Sequence, residues 1–61
     1  MFSAVHIKTG NIYIVTGFAI DATNDSKTEG MEMVIYRNGE GMAFVREKTE
    51  FYKKFVITQK D

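Results

Sequence analysis

Cysteine is absent from these 61 residues. Neither a disulfide framework nor a thiolate metal site can brace the fold, although domains this small commonly rely on one or the other. A chain of this length buries only about 60% of the surface its unfolded form exposes, so its margin of stability is thin. Net charge is missing as well: eight basic side chains balance eight acidic ones. The strong basic excess that advertises nonspecific nucleic-acid binding therefore does not exist globally. A third shortage is of long apolar runs. The longest, near Ile12 to Ile20, is interrupted by Thr16 and Gly17, and it falls well below the roughly 18–20 residues needed to cross a bilayer. The start of the chain has no basic leader followed by an apolar stretch and a small-residue cleavage site. Together these absences lead us to expect a cytoplasmic protein with no membrane partner.

Imidazole is nearly absent too. His6 stands alone, without cysteine or a nearby carboxylate cluster, whereas zinc normally wants three or four ligands. No serine or cysteine nucleophile with a credible partner accompanies it. We expect no catalysis, no metal and no cofactor. The acidic stretch Asp21 to Gly30 contains Asn24, Asp25, Ser26 and Glu29, an order superficially like a calcium loop. It lacks the alternating ligands and terminal bidentate glutamate of an EF-hand, and reads as a solvated loop. Gly39 and Gly41 make only G-E-G, too short for a phosphate cradle and with no helix start behind it.

What the chain does have is strand-forming residues and eight aromatics, each able to bury roughly 150–250 Å². Phe2 to Ile7 alternates loosely, and the K-T-G-N at Lys8 to Asn11 supplies a turn with Gly10 free to take positive φ. Ile12 to Ile20 is rich in β-branched and aromatic side chains. Strict alternation puts Ile12, Ile14, Phe18 and Ile20 on one face and Tyr13, Val15 and Ala19 on the other, with Gly17 marking a bend or bulge. Met31 to Arg37 and Met42 to Arg46 read as a hairpin closed by Asn38-Gly39, the usual type I′ signal. Glu47 to Phe55 is ambiguous. A short helical turn near residues 47–53 would place Phe51 and Phe55 on one side, and Lys53 to Thr58 would be a last strand. The expected architecture is all-β, one domain over residues 1–61: a small SH3-like barrel or a curled antiparallel sheet of about five strands.

Charge is unevenly spread. Residues 21–30 carry a net of −2 and residues 46–54 a net of +2, a separation able to orient a partner. Arg37 and Arg46 are candidate anchors for an acidic partner, since arginine's fixed fork favours interfaces. Aromatics interleave with bases in Tyr36-Arg37, Phe44-Val45-Arg46 and Phe51-Tyr52-Lys53-Lys54, a pattern that also suits stacking on single strands. Tyr13, Tyr36 and Tyr52 are the aromatics expected at the surface, because a tyrosine tip tolerates water.

One resemblance covers most of the chain, from about residue 5 to 55. His6, Lys8, Gly10, Tyr13, Val15, Gly17 and Ala19 are similar to the opening signature H-x-K-x-G-x-x-Y-x-V-x-G-x-A of a small domain of unknown function in bacterial and phage proteins. Val34, Ile35, Tyr36, Gly41, Phe44, Val45, Arg46 and Phe51 resemble its later segment, with Phe44 in place of the usual tryptophan. The resemblance implies a compact β-rich domain without assigned catalysis, of the kind found among phage accessory proteins that bind a host or phage protein. The expected partner surface comprises Tyr36, Arg37, Arg46 and Tyr52, with Lys8 and His6. A homodimer through exposed strand edges is a further expectation. The alternative is a nucleic-acid-binding barrel using the basic, aromatic 44–54 segment.

Overall fold

The computed structural model describes residues 2–22 and 30–60. Its strands are β1 (Phe2–His6), β2 (Ile12–Ile20), β3 (Glu32–Arg37), β4 (Ala43–Glu47) and β5 (Phe55–Lys60), with one helix, α1 (Lys48–Lys54), between the last two. All five strands pair antiparallel in a single sheet of order β4-β3-β2-β1-β5. The first four form a meander, and α1 carries the chain across one face so that β5 lies beside β1. Of the two architectures left open by the sequence, the curled sheet is the one adopted. The barrel is not: β4 and β5 are edges and do not pair with each other.

The curl is nonetheless strong. Strands lie about 4.8 Å apart, so β3 and β5, with two strands between them, would stand about 14 Å apart in a flat sheet. Yet the rings of Tyr36 on β3 and Phe55 on β5 are 5.1 Å apart, centroid to centroid. Likewise a seven-residue helix is only about 10.5 Å long, while opposite edges of a flat five-stranded sheet stand about 19 Å apart. Curvature brings the edges close enough for α1 to link them. The core inside the curl consists of Ala4, Val15, Val34, Tyr36, Phe51 and Phe55, with Phe2 and Tyr13 packed against it.

A bulge sets which side chains face inward. Val15 pairs with Tyr36 and Gly17 with Ile35, so Thr16 is the extra residue, and its hydroxyl donates to the Ile35 carbonyl at 3.3 Å. One inserted residue moves everything beyond it to the opposite face. Phe18 therefore shares the inner face with Val15 and Tyr13, opposite Val34. Ile12 and Ile14 stay on the outer face. This corrects the strict alternation expected for Ile12, Ile14, Phe18 and Ile20.

The turns follow glycine chemistry, in one case at another residue than expected. Gly10 takes φ +77° after β1, its N–H donating to the His6 carbonyl at 2.7 Å. In the β3–β4 hairpin neither Asn38 nor Gly39 has positive φ, so the turn is not type I′; the left-handed residue is Gly41, at +85°. Asn38 organises the loop instead. Its side-chain oxygen accepts the Glu40 and Met42 amides at 2.9 and 3.0 Å, and its carbonyl accepts from Gly41 at 3.1 Å. This is the three-residue loop ending in a left-handed glycine. The ends of the acidic loop are tied by Asp21, whose N–H donates to Met31 and whose carbonyl accepts from Gly30, both at 2.8 Å. Asn24, Asp25, Ser26 and Glu29, compared above with a calcium loop, lie outside the described residues.

Two substitutions in the hairpin separate the loop types. A Cβ at Gly41 meets nothing within 4 Å, so Gly41→Ala is expected to cost only the left-handed backbone penalty, about 1–2 kcal/mol in urea unfolding. Gly39→Ala should be nearly neutral, whereas a type I′ turn would penalise it as heavily. Phe51→Ala, at a fully buried ring, should lose about 3–5 kcal/mol, which leaves so small a domain largely unfolded at 25 °C.

Candidate functional site

Arg46 lies on β4, opposite Val34 and therefore on the inner face. Its Nε donates to the Tyr36 hydroxyl at 3.3 Å, and its guanidinium carbon sits 5.9 Å from the centre of the Phe55 ring. Around it the rings meet edge to face: Tyr13 against Tyr36 at 5.5 Å, Tyr13 against Phe55 at 5.4 Å and His6 against Phe55 at 4.9 Å. Phe44 tilts against Tyr36 at 5.6 Å. These six residues line a cleft of about 150 Å³ at the end of the curl. His6 also lines a neighbouring depression of about 200 Å³ with Ile7, Lys8, Lys53 and Lys54. The His6 Nδ1 is 3.0 Å from the Thr9 hydroxyl, which fixes the ring in the wall between the two hollows. The Ile7 N–H donates to the Lys54 carbonyl at 2.8 Å, which binds the end of β1 to the end of α1.

The fold gathers His6, Lys8, Tyr36 and Arg46 at this end and separates the other two expected contacts. Arg37 alternates with Tyr36 along β3 and pairs with Ala43, which puts it on the outer face of the sheet. Tyr52 lies on the far side of α1, beside Phe18, Ala19, Ile20, Glu32 and Lys48 in a hollow of about 450 Å³. Tyr36 was expected at the surface and is not there: only 4% of it is exposed. The curl wraps its ring among Tyr13, Phe44, Phe51 and Phe55, and its hydroxyl is what meets Arg46. The expectation does hold for Tyr52, 47% exposed. Phe55 and Lys53 complete the cleft and its neighbour; the sequence marked them by helical spacing and by a basic, aromatic run, not as neighbours of His6. The curl brings Phe55 to Arg46 on β4, and the end of α1 sets Lys53 beside His6 and Lys8.

The start of α1 positions this wall. The Glu47 carboxylate caps the helix, accepting the Thr49 amide at 3.0 Å and the Glu50 amide at 3.2 Å, as side-chain oxygens at a helix start commonly do. The Thr49 amide holds the Glu47 carboxyl below the ordinary range. The Thr49 hydroxyl, the Glu50 amide and the Lys53 charge act in the same direction, against partial desolvation that raises it. Two exposed ion pairs, Lys48–Glu32 at 3.1 Å and Lys54–Glu50 at 3.6 Å, lie near by; pairs so exposed contribute little to stability. Among the described residues no group of three or more histidine or acidic side chains is placed to hold a metal ion, and no helix is long and apolar enough to cross a membrane.

Compared with family models, curated proteins and solved structures, the chain matches none of them.

The cap makes a pH prediction. A carboxyl lowered in the folded state contributes stability above its unfolded value, near 4.5, and loses it as pH falls through the folded value. Glu47→Gln should therefore be less stable than wild type at neutral pH, and the gap should close progressively below about pH 4.5. Urea unfolding between pH 7 and pH 3 measures this. A gap that stays constant with pH would remove the charge from the account of the cap.

Proposed function

We propose that this chain is a small, non-catalytic protein-interaction module of the cytoplasm, an accessory protein of phage or bacterial origin that binds a host or phage protein through the His6–Arg46 cleft. The observation that carries the reading is the composition of that cleft and its neighbour. Arg46 sits among the aromatic walls of the cleft, Lys8, Lys53 and Lys54 line the neighbouring hollow across His6, and among the described residues no acidic side chain lines either. Arginine and aromatic side chains at the centre of a concave surface are the residues on which interface affinity concentrates. The unpaired edges of β4 and β5, together with exposed Ile12, Val45 and Val56 on the outer face, are where a second copy would associate.

The second reading, a nucleic-acid binder, draws on the same lysines, which could follow a phosphate backbone. It has less support from the rings. Phe51 and Phe55 are buried, while Phe44 and Tyr52 line separate hollows. No continuous row of open rings is left for successive bases to stack on.

Affinity capture from a host lysate, with and without nuclease, tests the proposal when wild type is run beside Arg46→Ala. A protein retained after nuclease and lost with Arg46→Ala is the expected result. Material that disappears on nuclease treatment would put the nucleic-acid reading first. Equal retention by both forms would take the cleft out of the interaction.

A further inference from the structure

Arg46 is half-buried, and among the described residues its guanidinium pairs with no carboxylate. Its orientation is fixed from two directions. The Nε is committed to the Tyr36 hydroxyl and the plane is held near the Phe55 ring. Tyr36 and Phe55 are both core residues, so neither support can move without disturbing the fold. With Nε engaged, the terminal nitrogens remain as donors at the cleft. They form a fork whose side-chain entropy is already lost before any ligand arrives.

From this geometry we infer that the cleft is a carboxylate-binding site, and that its ligand is an extended acidic segment of a partner polypeptide. One carboxylate takes the two terminal nitrogens of Arg46, and neighbouring acidic residues meet Lys8 and Lys53 across the shared His6 wall. The inference rests on the interaction-module reading and gives it a ligand chemistry. Three features select an acidic peptide. Charge is complementary, since Arg46, Lys8, Lys53 and Lys54 line the two hollows beside His6 and, among the described residues, no carboxylate does. A carboxylate matches the planar fork bidentately, where an ammonium-based site would supply only a point charge. The hollows are small, about 150 and 200 Å³, and suit successive side chains of an extended peptide better than a compact ligand. Lys54 contributes less than its neighbours because Glu50 already lies 3.6 Å from it. Glu50 lines neither hollow.

The test uses the intact chain and three probes: a blocked pentapeptide Glu-Glu-Phe-Glu-Glu, its Gln-Gln-Phe-Gln-Gln counterpart and a six-nucleotide oligothymidylate. Side-chain ¹⁵Nε–H NMR of Arg46 reports contact at the fork, and titration gives affinity. The acidic peptide should shift the Arg46 Nε–H signal saturably, and the glutamine peptide should not. Arg46→Lys keeps the charge and loses the fork, so it should weaken the acidic peptide at least about tenfold. Chemical-shift dispersion confirms that the variant is folded, and the wild-type titrations stand without it. An acidic peptide that leaves Arg46 unmoved would overturn the inference. So would equal affinity for both peptides, full affinity in the folded Arg46→Lys protein, or tighter binding of the oligothymidylate. If the acidic peptide fails while nuclease-resistant, Arg46-dependent capture succeeds, the interaction module stands and only its ligand chemistry falls. If both fail, both fall.

Discussion

Two phenyl rings lying almost parallel, Phe51 from α1 and Phe55 from the first position of β5, with centroids 4.3 Å apart and planes 7° from each other, are the contact on which this fold depends. A helix of seven residues is far too short to persist alone in water. It exists because Phe51 is wholly buried against the sheet and because Phe55 ends it without a loop. The Phe55 backbone is extended at φ −130°, ψ 151°, while its N–H still donates to the Phe51 carbonyl. One residue is at once the helix cap, the start of the edge strand and half of the stack. With no disulfide available, this aromatic contact does the bracing that small domains often assign to covalent or metal links.

The same stack shapes the candidate site. Phe55 reaches Tyr36 across two intervening strands, and that reach is possible only in a curled sheet. Curvature in turn draws on the extra residue at Thr16 and on the small Gly17 beside it. Once Tyr36 and Phe55 meet, they present a hydroxyl and a ring face to the strand on the other side, where Arg46 rests on both. The cleft is thus the open end of the core, where packing stops and a cation takes the place of a further aromatic. Hydrophobic packing and recognition use the same side chains here. Changing Tyr36 or Phe55 would alter both, which makes Arg46, Lys8 and Lys53 the informative positions for separating them.

Much of this was legible in the sequence. β-branched and aromatic runs located the strands; Gly10 and Gly17 marked a turn and a bulge; and Phe51 and Phe55 at four-residue spacing announced the helical turn. What could not be read was whatever depended on register. The extra residue at Thr16 moves Phe18 to the inner face, and no local pattern separates a bulge from a simple bend. Asn38-Gly39 carries the type I′ signal, yet the Asn38 side chain captures the Glu40 and Met42 amides and passes the left-handed conformation to Gly41. Tyr36 looked like a surface residue because tyrosine tolerates water. Its burial follows from curvature, a property of the whole sheet. Arg37 and Arg46 look alike in the sequence, and only pairing tells them apart: one alternates with Tyr36 to the outer face, the other faces inward beside it.

The curl brings Arg46 to the Tyr36 hydroxyl and over the Phe55 ring, from two different strands, and holds it there. Nuclear Overhauser contacts between the Arg46 side chain and the aromatic protons of Tyr36 and Phe55 in the free protein test it most directly. Cross-peaks to both rings are expected, with Arg46 Hδ signals displaced from their random-coil positions by the neighbouring rings. Random-coil Arg46 shifts without contact to Phe55 would contradict this arrangement. They would mean that β4 and β5 do not approach across the core, and that the cleft and its fork do not exist in solution.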